Sequence, residues 1–276
     1  MKSVRRVLYF GLVSLLAACA GTTAYSPTGK IEVLWLGQSA FRITTMTGKV
    51  IVIDPWLTTN PKTPPQYKDL NNLGKVDVVL LTHGHFDHSF NAAELARLNK
   101  VRLYAPPGLK DTLVAIGEIP AELAPGMNKS GIVTPLGPEI KFNMVRAEHS
   151  SEFSWKNPAT GRVENLPGGE PVGWIIELEN GFKIYHMGDT GLFGDMRFIG
   201  EFYKPDLVLV PIGGNFTINA QLGAYAIREM IKPKFAIPMH YGTYPILAGK
   251  PEDFVKEVGD APVKIMVLQP GEKATF

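Results

Sequence analysis

The run Thr82-His83-Gly84-His85-Phe86-Asp87-His88 places three imidazoles and a carboxylate within six residues, directly after the apolar run Val76 to Leu81 (VDVVLL). In an extended segment His83 and His85 project to the same side and can reach one cation, whereas Asp87 and His88, past the turn, can reach a second. The spacing therefore predicts a site for two metals. A lone loop histidine is more often structural or solvent-facing. Here, only six histidines occur in 276 residues, and three of them fall in this stretch.

A dinuclear site needs about six or seven protein donors, so the four of this loop require partners elsewhere. His149 ends the strand-like segment Ile140 to Ala147 (IKFNMVRA), Asp189 follows Phe182 to His186 (FKIYH), and His240 follows Phe235 to Met239 (FAIPM). Each sits just past an apolar strand, where α/β folds gather their chemistry. The sixth histidine, His186, lies three residues before Asp189, an odd offset that turns it to the other face of its strand. It is expected to support the site from behind, or to be a satisfied core histidine.

These positions resemble the metallo-β-lactamase fold superfamily, whose signature is H-x-H-x-D-H followed by a distant His, an Asp and a last His. The segments VLWLGQSAFRI, VIVIDPWLTTNP, AEHSS, IYHMGDTGLFGDM, PDLVLVPIGGNFT and AIPMHYGTYP extend the likeness to stand-alone bacterial and archaeal metal-dependent hydrolases, near the ascorbate-6-phosphate lactonase group. It covers roughly residues 31 to 272. The resemblance implies an α+β, four-layer αββα sandwich. It also implies a first metal on His83, His85 and His149, a second on Asp87, His88 and His240, Asp189 bridging them, and Asp54 steadying the ligand loop. Two residues depart from the usual pattern: Gln38 stands where relatives carry His, and Gly214 where they carry Asp. Neither is one of the seven ligands, so both are expected to bear on substrate rather than on metal.

The elements that must hold these residues are legible in outline. Ile31 to Leu36, Phe41 to Thr45 and Lys49 to Ile53 read as an antiparallel meander with turns at Gly37 and Gly48. Asn91 to Lys100, Asp195 to Phe202 and Gln221 to Ile231 have helical composition. Two proline-containing loops, Trp56 to Lys75 and Ser150 to Pro171, begin beside site residues and are expected to cover it, their aromatics meeting an apolar part of the substrate. Gln38, Trp56, Trp155, Asn215 and Tyr241 are the candidate substrate-lining residues, with Asn215 and Tyr241 as possible donors to a developing oxyanion.

The first 18 residues combine Lys2, Arg5 and Arg6 with an apolar run and small residues before the single cysteine, Cys19. They read as a secretion signal of the bacterial lipoprotein type, with Cys19 as the acylated residue. Residues 19–29 form a polar tether, and residues 30–276 the hydrolase domain. A lipid-anchored protein facing the periplasm or exterior follows. With Cys19 committed, the domain has no thiol for disulfide or zinc. Antibiotic-hydrolysing members of this fold place a Cys where Asp189 stands, so that activity is disfavoured. A net charge of +2 with no basic run argues against nucleic acid as a partner.

Together these features indicate a hydrolase with two divalent cations, zinc in the first instance and manganese or iron(II) otherwise. A metal-bridging hydroxide, oriented by Asp87 and Asp189, would attack an ester, lactone, amide or phosphodiester in a small-molecule or lipid substrate. A membrane-tethered lipid phosphodiesterase of the N-acyl-phosphatidylethanolamine phospholipase kind, or a catalytically silent metal-binding lipoprotein, are the alternatives.

Overall fold

The computed structural model describes residues 29–276; the expected secretion signal, Cys19 and nearly all of the expected tether lie outside the described residues. The strands β1 (Glu32–Gly37), β2 (Ala40–Thr44) and β3 (Val50–Ile53) form the expected antiparallel meander, with Trp35 opposite Phe41 and Arg42 opposite Val52. β4 (Val78–Leu80) then adds parallel to β3. The short helix α1 (Phe86–Ser89) and α2 (Ala92–Asn99) carry the chain over to β5 (Arg102–Tyr104), again parallel, followed by α3 (Pro107–Ala115). Pro107 opens α3 at the position where a missing N–H costs nothing.

The second half runs through β6 (Ile132–Val133), β7 (Lys141–Arg146), β8 (Glu152–Lys156), β9 (Val163–Pro167), β10 (Val172–Glu177) and β11 (Lys183–His186). Next come α4 (Met196–Phe198), β12 (Leu207–Pro211), α5 (Ala220–Tyr225), β13 (Phe235–Met239), α6 (Pro251–Val258) and β14 (Lys264–Ile265). α4 and α5 widen into π-turns over Ile199–Tyr203 and Ala226–Ile231. β15 (Lys273–Thr275) returns to pair with β1. One sheet has the order β15-β1-β2-β3-β4-β5, the other β14-β13-β12-β11-β10-β7-β6.

Strand parity makes this a sandwich. Trp35, Phe41, Ile43, Ile51, Ile53 and Leu80 point inward to meet Phe142, Trp174, Leu209 and Met239 from the facing sheet. Their neighbours one residue along, among them Val52, Val79 and Leu81, point outward under α2 and α3. On the other side Val208 and Val210 pack beneath α5 and α6. Two sheets with helices outside each are the four layers expected. Among the described residues no helix is long and apolar enough to cross a membrane.

Of the two long loops, one reaches the site through Ser150 and Ser154 and the other does not. Ser150 to Pro171 folds mostly into a β8–β9 hairpin with Phe153 opposite Leu166, seated where the backbones of Gly108 and Gly169 meet: a Cβ on Gly108 would lie 2.7 Å from Gly169 Cα. Residues 56 to 75 pack Leu57, Leu70 and Leu73 onto the outer face of the first sheet instead of covering the site.

Candidate metal centre

Every proposed ligand emerges from the same edge of the sandwich. His83, His85, Asp87 and His88 follow β4 of the first sheet; His149, Asp189 and His240 follow β7, β11 and β13 of the second. Donor atoms of His83, His85 and His149 lie within 4.8 Å of one another, and so do those of Asp87, His88, Asp189 and His240. The structure thus brings all seven together, in two groups. Asp189 stands between them, Oδ2 lying 3.7 Å from His149 Nε2 and 3.0 Å from His240 Nε2.

Hydrogen bonds behind the rings fix which nitrogen faces inward. Buried Asp54 accepts from Thr82 N–H (2.8 Å) and from the Thr82 hydroxyl (2.6 Å), and His88 Nδ1–H donates to its Oδ2 at 2.8 Å. With its proton given to Asp54, the Thr82 hydroxyl is left to accept from His83 Nδ1–H at 3.0 Å. The Nε2 atoms of His83 and His88 are therefore the ones turned to the centre. On the outer side His85 Nε2 lies 3.1 Å from Glu152 Oε2, which leaves Nδ1 inward, 3.0 Å from His83 Nε2. Two unprotonated ring nitrogens facing each other form no hydrogen bond, but they can share a cation.

The second group is tested by its unpaired atoms. His88 Nε2, Asp189 Oδ1 and both ring nitrogens of His240 are buried and make no hydrogen bond, although His88 Nε2 and Asp189 Oδ1 are only 3.3 Å apart. Buried polar atoms are rarely left unsatisfied. A divalent cation would satisfy them, and the donor set of imidazole and carboxylate suits zinc, manganese or iron.

Without metal, charge balance falls to protons. Burial works against a positive His88, but Asp189, Asp87 and Asp54 outweigh it and hold its pKa well above the usual value. His240 is likewise penalised by burial, yet Asp189 raises it to about 9. Burial penalises ionised Asp87 and Asp189, and the neighbouring imidazoles reverse that, holding both below the ordinary carboxylate range. His83 and His149 move the other way, lowered first by burial.

Asp54 thus supports the ligand loop from behind. His186 is buried, donates from Nε2 to the Ser39 carbonyl at 2.9 Å and accepts from Gly188 N–H at 3.1 Å, a satisfied core histidine. Gln38 Nε2 donates to Asp87 Oδ2 at 2.8 Å. Gln38, Asp54 and His240 all have left-handed backbones, with φ of +52°, +47° and +55°, a conformation unusual outside glycine and concentrated at functional sites.

The substrate-lining expectations fare differently. A cavity of about 340 Å³ opens over the ligands, and its other walls are Phe86, Ser150, Ser154, Phe216, Tyr244 and Leu247. None of the five expected residues lines it. Gln38 is buried behind Asp87. Trp56 is buried with its ring under Phe86 and Tyr244, 5.4 and 6.1 Å between centroids. Trp155 is on the opposite strand face from Ser154, its indole N–H reaching Glu118. Tyr241 packs 5.4 Å from Trp35 beside a separate small hollow, and Asn215 borders another surface depression. Neither is positioned to donate to an oxyanion in the main cavity. Glu152, Phe216 and Tyr244 were not singled out from sequence, since nothing local marks them.

Comparison with known proteins accords with this geometry. Residues 32–240 match a family model described as a beta-lactamase superfamily domain. A UPF0173 metal-dependent hydrolase from Polaromonas sp. is 58% identical over 276 residues, covering all of both chains, and one from Cupriavidus necator is 57% identical over the whole of each. Among solved structures, Igni18 from Ignicoccus hospitalis, described as a metallo hydrolase, superposes with a TM-score of 0.76 at 32% identity, covering 90% of this chain and 98% of its own.

Proposed function

Because the chain belongs to the UPF0173 metal-dependent hydrolases of the metallo-β-lactamase superfamily, we propose that it is a two-metal enzyme cleaving an ester, lactone, amide or phosphodiester bond. The observation that carries this is the set of inward-facing nitrogens of His83, His85 and His88, fixed by Asp54, Thr82 and Glu152, against the unpaired Asp189 and His240. His83, His85 and His149 would hold one cation, Asp87, His88 and His240 the other, with Asp189 shared. Bound there, the cations supply an activated water, its pKa brought toward about 7, and polarise the bond under attack.

The chain's own part is positional. Asp87 and Asp189, held ionised, orient the attacking water. Asp54 and Glu152 keep the rings in the tautomers that ligation needs. Hydrolysis then adds the water oxygen to the acyl or phosphoryl centre, breaks the bond to the leaving group and passes one water proton to it. Lipid anchoring through Cys19 would put this activity at the cell envelope.

Elemental analysis of the purified domain, coupled to a panel of ester, lactone, amide and phosphodiester substrates, tests the reading. About two metals per chain and turnover abolished by chelation are expected; full activity with less than one metal per chain would overturn it.

A further inference from the structure

The walls of the cavity carry information about the molecule it receives. Phe86, Phe216 and Tyr244 are 47%, 58% and 38% exposed, yet they converge with Leu247 over the candidate ligands. Convergent exposed apolar side chains beside a polar centre are the signature of a ligand surface. Their placement is supported from beneath: Trp56, buried, stacks on Tyr244 and meets Phe86 edge-on. Phe216 is held out by a tight turn in which Gly214 has φ +71° and Phe216 N–H donates to the Gly214 carbonyl at 2.7 Å.

Charge is equally informative. Among the described residues lining this cavity there is no lysine or arginine; its carboxylates and imidazoles, Asp87, Asp189, His85, His149 and His240, are all candidate ligands, and the Tyr244 phenol is kept neutral by a pKa that burial raises. Glu152, which lies 3.1 Å from His85 on its outer side, adds an acid and no positive charge. A phosphate or carboxylate on the far arm of a substrate would find no counter-charge and would be desolvated against aromatic rings. Ser150 and Ser154 offer hydroxyls only.

We infer that the substrate presents to this cavity an uncharged, apolar acyl or aryl arm next to the scissile bond, as in an alkyl or aryl ester or an alkyl-bearing lactone, and carries no second anionic group. This rests on the hydrolase reading for the bond that is broken, and on the walls alone for the arm.

Hydroxamates, which chelate through one end and leave the other in the cavity, separate the two. Calorimetry on the zinc-loaded protein would compare butanohydroxamate, octanohydroxamate and the eight-carbon hydroxamate ending in a carboxylate. Each methylene buried should tighten binding about fourfold, so the octanoyl compound should bind at least about tenfold tighter than both others. Phe216→Ala with Leu247→Ala should remove most of that advantage while zinc content stays unchanged. A flat chain-length series, equal or tighter binding of the carboxylate, an unaltered preference in the double variant, or no binding at all would each overturn the inference. 4-Nitrophenyl esters of the same chain lengths would be assayed in parallel. The hydroxamate preference without turnover of any substrate in the panel would support the apolar arm and sink the hydrolase reading alone.

Discussion

Gln38 reaches both sides of the candidate centre: its side-chain amide donates to Asp87 Oδ2 at 2.8 Å, and its backbone carbonyl accepts from His240 N–H at 3.0 Å. The chain end of β1 thereby positions one ligand from each sheet. Because the Gln38 side chain is an uncharged amide, it keeps this contact at every pH.

Gln38→Ala should lower affinity for the second metal about 10- to 100-fold, the range seen for partners behind a ligand, whereas Gln38→His should retain most of it. Gln38→Glu should be the worst, placing carboxylate against carboxylate. Metal titration followed by calorimetry ranks the three, and an unaffected Ala variant would remove Gln38 from the site's support.

Asp189→Ala should cost far more activity than His186→Ala. The first removes an oxygen donor standing between both groups, the second a histidine whose two bonds are to backbone. Equal losses of turnover, with folding and metal content intact in the His186 variant, would show that His186 acts at the centre.

Metal uptake near neutral pH should release protons. His240 is raised to about 9 from 6.5 in the metal-free protein, and a ligating imidazole must be neutral. Apparent affinity should thus climb as pH rises and level off above about 9. The metal-free protein should show the converse: stability from this histidine is full below about 6.5 and lost as pH rises through about 9. Calorimetry in buffers of different ionisation enthalpy counts the protons, and none released at pH 7 would contradict the assignment.

Gly188→Ala should destabilise the fold by about 1–3 kcal/mol. Gly188 has φ +63°, and an added Cβ would come within 2.8 Å of Thr82 Cβ and 3.0 Å of the Val172 carbonyl. The denaturant midpoint reports the loss. An unchanged midpoint would mean that the β11 turn relaxes freely.

The ligands were legible in sequence because four of them are local and the rest each follow an apolar strand, a pattern that survives without knowledge of the fold. The cavity walls were not. Phe86 opens the short helix α1 while Phe216 and Leu247 come from two separate loops; their meeting depends on sheet order, and nothing local marks any of them. Trp155 misled for a simpler reason: side chains alternate along β8, and the phase that turns Ser154 to the cavity turns Trp155 away. The hairpin itself was hidden by its proline, glycine and polar composition. The strands of the meander, by contrast, carry β-branched runs buried on both faces and declared themselves.

The division of donors between the sheets bears on how the chain holds together. Residues 83 to 88 belong to one leaf of the sandwich and His149, Asp189 and His240 to the other, so a cation bound to both leaves is a cross-link that closes loops of tens to more than a hundred residues. Such closure restricts the unfolded chain much as a disulfide would, in a domain whose described residues contain no cysteine. Loading with metal should therefore raise the melting temperature of the whole sandwich as one cooperative unit, and chelation should lower it again by the same margin.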